Sequence, residues 1–131
     1  MNTNAANWVK ALRSGKYQQS KGALKDAYGF CCLGVACELY AIETGVGNWD
    51  RHHQSVLSSE RGCKFKEYCS FDGEPSCLPL RVKVWLGLED AFGRYKDAAE
   101  EYDLATQNDR GLSFEDIASI IESEPEGLFN Q

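Results

Sequence analysis

Apolar positions along this chain recur first at helical spacing. Trp8, Val9 and Leu12 fall on one face of the stretch from Ala5 to Arg13, and Gly15 stands where such a helix would stop. The run Phe30-Cys31-Cys32-Leu33-Gly34-Val35-Ala36-Cys37-Glu38-Leu39-Tyr40 opens a second helix, in which Val35, Leu39 and Ile42 bury one face. Leu78 to Leu88 predicts a short third helix, with Pro79 preset for its first turn and Gly87 as its stop. Tyr95 to Gln107 predicts a polar helix whose inner side carries Ala98, Ala99, Tyr102 and Ala105. The last helix starts at a capping serine, Ser113, with an acid three residues on at Asp116. Phe114, Ile117, Ile120 and Ile121 form its stripe, and Pro125 ends it.

Between these helices the pattern is looser. Lys16 to Phe30 alternates polar and apolar positions enough to predict a hairpin leading into the cysteine helix. Cys63 to Phe71 alternates imperfectly and ends in the turn signal Asp72-Gly73, which predicts a second hairpin. The polar run from Gly45 to Arg61 predicts a long loop or insertion. The expectation is a single α+β domain over residues 1–131, helix-rich, with helices beginning near Ala5, Cys31, Pro79, Tyr95 and Phe114 and two short antiparallel hairpins. Its expected core is Trp8, Leu12, Leu33, Val35, Cys37, Leu39, Val82, Trp85, Leu86, Leu104, Phe114, Ile117 and Ile121.

Charge narrows the function classes. With 14 basic against 20 acidic residues the chain carries a net charge of −6, which argues against a main role on a nucleic-acid phosphate backbone. The segment from Gly111 to Ala118 resembles the start of a helix-turn-helix, but too little chain follows Pro125 to build a recognition helix. No run approaches the length of a membrane span and Met1 to Asn7 lacks a signal-peptide core, so a cytoplasmic protein is expected. In that compartment the six cysteines are expected as free thiols. Their spacings of 1, 5, 26, 6 and 8 contain no C-x2-C pair, so no metal site is expected.

Three chemistries compete. Cys31 or Cys32 at a helix start could act as a nucleophile, with Gln19 as an oxyanion donor and His52 or His53 as base; the competing reading is packed thiols and solvated loop histidines. A nucleotide-like ligand would use Arg13, Lys16 and Lys21 for phosphate, Trp8 and Tyr17 as aromatic faces, and Gln19, Asn108 and Asp109 as polar partners. A protein-binding surface would use Trp49, Tyr68 and Phe71 as anchors. Glu100, Glu101 and Asp103 read as a solvated acidic face, not a catalytic pair.

The spaced residues Trp8, Ala11-Leu12-Arg13-Ser14-Gly15, Tyr17, Gln19, Gly22 and Leu24, then Phe30-Cys31-Cys32-Leu33-Gly34-Val35 and Cys37, then Leu78-Pro79, Val82 and Trp85-Leu86-Gly87-Leu88, then Asn108-Asp109, Phe114 and Ile117-Ala118 resemble a family of small proteins common in tailed-bacteriophage genomes. The resemblance implies a phage accessory protein acting in the host cytoplasm and carries no catalytic assignment. By association, it implies a counter-defence protein that binds and withholds a nucleotide-derived signalling molecule without cleaving it, as a homo-oligomer and without a cofactor. The alternatives are an inhibitor that binds a host defence protein directly and a cysteine hydrolase.

Overall fold

The computed structural model describes residues 1–58 and 62–130, with side chains set aside at 54–58 and 62–66. It is an α+β fold. The order is α1 (Thr3–Arg13), β1 (Lys25–Asp26), α2 (Cys32–Thr44), β2 (Trp49–Ser58), β3 (Gly62–Phe71), α3 (Leu80–Leu86), β4 (Arg94–Asp97), β5 (Glu100–Asp103), α4 (Leu104–Asp109) and α5 (Phe114–Glu122). One antiparallel sheet has the order β1-β3-β2, and β4-β5 forms a second.

Capping explains where the helices begin. The Asn2 side chain accepts from Ala5 N at 2.8 Å and starts α1, while Ser113 and Asp116 form a reciprocal capping box at α5. The first two turns of α2 are buried on every side from Cys32 to Cys37, because α1, α3 and α4 pack around it. Gly34 makes this possible. A Cβ there would sit 1.7 Å from the Leu24 carbonyl oxygen, so only glycine lets the chain before β1 cross the helix start. The expected core residues are buried except Leu39 and Trp85, which are half-buried against it.

Three expectations need correction. The stretch from Gly45 is a loop only as far as Asn48: Trp49–Ser58 is a strand in continuous register with β3, from Trp49↔Phe71 to Ser58↔Gly62. Its run of Asp50, Arg51, His52, His53 and Gln54 carries none of the apolar alternation that marks a half-buried strand in sequence. Residues 59–61 of the expected loop lie outside the described residues. Tyr95 to Gln107 is not a helix either. Ala98 and Ala99 take positive φ, 49° and 71°, and turn the chain so that Tyr95 stacks on Tyr102 at 5.5 Å across β4-β5. Asp103 then caps α4 by accepting from Thr106 N at 2.7 Å.

The third correction concerns the hairpins. Asp72-Gly73 makes a tight turn, φ 50° and 87°, across which Phe71 and Glu74 exchange backbone bonds of 2.9 and 3.0 Å; the partner of β3, however, lies upstream, in β2. The hairpin expected over Lys16 to Phe30 shrinks to β1 and a tight turn closed by Asp26 N to Gly29 O.

A chain of aromatic contacts seats the β2-β3 ribbon on the body. Centroid distances run 5.4 Å from Tyr17 to Phe30, 6.1 Å to Trp49, 4.8 Å to Phe71, 6.4 Å to Tyr40 and 5.4 Å to Trp85. Lys25 Nζ lies over both Phe30 and Trp49, and the Trp49 indole donates to Glu38 at 3.1 Å.

Candidate functional site: the Asn108 hub and its cleft

Residues that stand far apart in the sequence meet at Asn108. Its side chain is wholly buried on α4. Oδ1 accepts from Cys32 N at the start of α2 (3.1 Å) and from Gln19 Nε2 (2.9 Å), while Nδ2 donates to the Ser20 carbonyl at 2.8 Å. Gln19 spends its remaining groups on the entry to α5, donating to Leu112 O at 2.8 Å and accepting from Phe114 N at 3.1 Å. Asp109 accepts from Gly22 N at 2.9 Å. Three orphan backbone donors, Gly22 N, Cys32 N and Phe114 N, are thus satisfied by side chains from the Gln19 and Asn108-Asp109 segments.

The other residues singled out for a ligand are dispersed. Trp8 is fully buried, and its indole donates to Cys32 O at 2.9 Å beneath the same helix start. Arg13 clasps α5, with Glu115 at 3.0 Å, Glu122 at 2.9 Å and Ser119 at 3.0 Å; the Glu122 bond chiefly raises its pKa further. Tyr17 packs edge-on against Phe30. Lys16 and Lys21 are exposed, Lys21 beside Gly111. Gln19, Asn108 and Asp109 are therefore together, while the aromatic and cationic groups expected to complete a nucleotide site are not.

A cleft of about 400 Å³ opens beside the hub, lined among others by Gly22, Cys31, Asp103, Thr106 and Asp109. Burial pushes the Cys31 thiol up to about 11, against the helix N–H groups of Gly34 and Leu33 that pull it down. Burial likewise holds Cys32 and Cys37 well above the ordinary thiol value. These thiols are protonated at neutral pH. Neither candidate base lines the cleft: His52 bonds Ser70 Oγ at 2.8 Å and stacks on Tyr68 at 5.0 Å, and His53 is exposed opposite Glu67 in the ribbon.

Cys69 and Cys77 are free thiols like the three in α2 and its cap; the side chain of Cys63 lies outside the described residues. Among the described residues no group of three His, Cys, Asp or Glu side chains converges to hold a metal ion. No helix of the described residues is long and apolar enough to cross a membrane.

Asp103 and Thr106 were missed as cleft residues because the sequence places them inside an expected helix. The usable signal was Asp103 three residues before Thr106, the spacing of a helix cap. Of the expected protein-binding anchors, Phe71 is fully buried, Trp49 is half-buried with its ring tilted against Phe71, and Tyr68 is half-buried and stacked on His52.

No curated protein and no solved structure matches this chain. A family model does match, over residues 1–125, and the chain belongs to that family, described as Domain of unknown function (DUF8296).

Proposed function

We propose that this chain works by binding another polypeptide rather than by catalysis, and that the β2-β3 ribbon is the element that binds. The carrying observation is the ribbon itself: ten residue pairs in unbroken register, with β1 on the far side of β3 and β2 last in the order, so that the outer edge of β2 is open among the described residues. Open edges recruit extended chains through main-chain hydrogen bonds. The hub adds the complementary support, since its Gln19, Asn108 and Asp109 side chains already serve the fold and its thiols are protonated.

The test places a photoreactive amino acid at His53, exposed on the ribbon, or at Tyr28, exposed at the β1 turn. The resemblance to phage accessory proteins makes a bacterial host the place to do it. Polypeptide adducts from position 53 and none from position 28 are expected. No adduct from 53, or equal adducts from both, would overturn the reading.

A second reading, capture of a nucleotide-derived signalling molecule, is favoured by the cleft, whose volume falls within the range of small-molecule sites. Its carboxylates, Asp103 and Asp109, suit ligand hydroxyls better than phosphates. Incubation with cyclic dinucleotides or ADP-ribose derivatives, followed by heating, tests it: intact ligand recovered from the denatured protein supports capture, and no uptake rules it out.

A further inference from the structure

We infer that β2 pairs edge to edge with β2 of a second copy of this chain, about a two-fold axis crossing the strand near His53 and Gln54. The inference rests on the ribbon being the binding element and names its occupant. It joins two three-stranded sheets into one of six strands.

The first support is how the edges differ. Trp49–Ser58 holds no proline, glycine or lysine, and its register with β3 shows no bulge, so apart from the adjacent opposite charges Asp50 and Arg51 it lacks the devices by which natural edges avoid pairing. The far edge of β3 is open beyond Tyr68 as well, but Gly62, Lys64 and Lys66 stand in that strand. The remaining edges are short or covered. β1 has two residues, β5 has four of which three are acidic, and β4 is covered where Lys96 N bonds Glu126 O at 2.8 Å. The second support is that the sheet is two-stranded beyond Tyr68, and an isolated pair of strands is marginal in water. A further strand along β2 supplies the missing neighbour.

The third support selects a copy over a foreign strand. Antiparallel pairing of a strand with itself about a two-fold axis is self-complementary in hydrogen bonding, because each residue meets one with the same edge orientation. Two registers engage nearly the whole strand. With the axis at His53, Asp50 meets Val56 and Arg51 meets Ser55. With the axis at Gln54, Asp50 meets Ser58 and Arg51 meets Leu57. Neither opposes like charges. The strand, with one Asp and one Arg, is neutral in a chain of net charge −6, so it offers no charge pattern to attract an acidic or basic peptide and no repulsion toward itself.

Sedimentation of the full-length protein from low micromolar concentration to its solubility limit should give twice the chain mass. Under mild oxidation, His53→Cys or Gln54→Cys, whichever lies on the axis, should form an intermolecular disulfide that the wild type and Tyr28→Cys do not. The double variant His53→Lys/Gln54→Lys brings like charges together at the axis and should weaken the dimer roughly tenfold or more, with unchanged circular dichroism. A monomer that still yields photo-adducts with a different polypeptide from position 53 overturns this inference and leaves the interaction reading standing. A monomer with no adduct from 53 overturns both. A dimer indifferent to the lysines, with neither cysteine cross-linked, overturns the β2 route.

Discussion

The hub around Asn108 and the β2-β3 ribbon are held in opposite ways. At the hub, one buried amide joins the loop after α1, the first residue of α2 and helix α4, while Gln19 extends the bonding to α5, so each element is fixed by several others. In the ribbon, ten pairs depend on each other and on one aromatic seat at Trp49 and Phe71. The lesson is about where function can lie. A region whose polar groups are nearly all spent internally, the buried Ser20 hydroxyl excepted, is the frame, and a region with a row of unspent backbone groups is where we propose that the frame meets something else.

The largest expected effects lie at the hub. Asn108→Leu keeps volume but strands Cys32 N, the Ser20 carbonyl and the Gln19 amide, each costing about 1 to 3 kcal/mol when buried without a partner, so a loss of roughly 3 kcal/mol or more is expected in urea unfolding. Gly34→Ala drives a methyl into the Leu24 carbonyl and should cost at least as much or prevent folding. In the ribbon, exposed His53→Lys, compared with the wild type at a concentration where both are monomeric, should change stability by no more than about 0.5 kcal/mol. A ribbon substitution as costly as Asn108→Leu would break the comparison.

This contrast also explains what the sequence made legible. Helices with one apolar face and a side-chain cap, α1 and α5, are visible in periodicity, because local pattern and tertiary burial agree. The signature residues Gln19 and Asn108-Asp109 stand out equally, but as part of a candidate ligand site, and Cys32 as a candidate nucleophile; in the structure they bond to one another and to Gly22, while Gly34 makes way for backbone. Nothing in spacing distinguishes an amide that binds a ribose from one that caps a helix 76 residues away. The β2 half of the ribbon was missed for the opposite reason. None of Trp49 to His53 is fully buried, and a strand segment of that kind has no need of apolar alternation, so His52-His53 reads as loop until register is known.

A smaller effect follows from the thiols at and near the hub. Cys31 has an ordinary value near 9 and is pushed up to about 11 by burial, and Cys32 and Cys37 are raised in the same direction. Their folded-state values lie above the unfolded ones, so the stability they contribute is full below pH 9 and is lost as pH rises toward 11 and beyond. For Cys31 alone the loss by pH 11 is roughly 2 kcal/mol. Urea unfolding at stepped alkaline pH should show the decline, and Cys31→Ala should make it shallower. An unchanged slope in that variant would mean the thiol ionises as freely folded as unfolded, and the hub would then be more open than its burial implies.

The smallest expected effect sharpens the comparison at a third place. The β4-β5 hairpin is also two-stranded, yet it is clamped, with Tyr95 buried, Tyr102 stacked on it and Lys96 N bonded to Glu126 O. That clamping lets it keep a turn that its sequence disfavours, since Ala98 and Ala99 both hold left-handed φ where Asn and Gly are preferred. Ala98→Asn/Ala99→Gly should therefore stabilise the protein by about 1 kcal/mol, read as a raised urea midpoint at constant slope. Combined with Asn108→Leu, the gain should add to the loss, because the turn shares no hydrogen-bond partner with the hub. A gain that disappears in the Asn108→Leu background would mean the clamp on β4-β5 runs through the hub, and hairpin and hub would then count as one region, with the ribbon alone set apart.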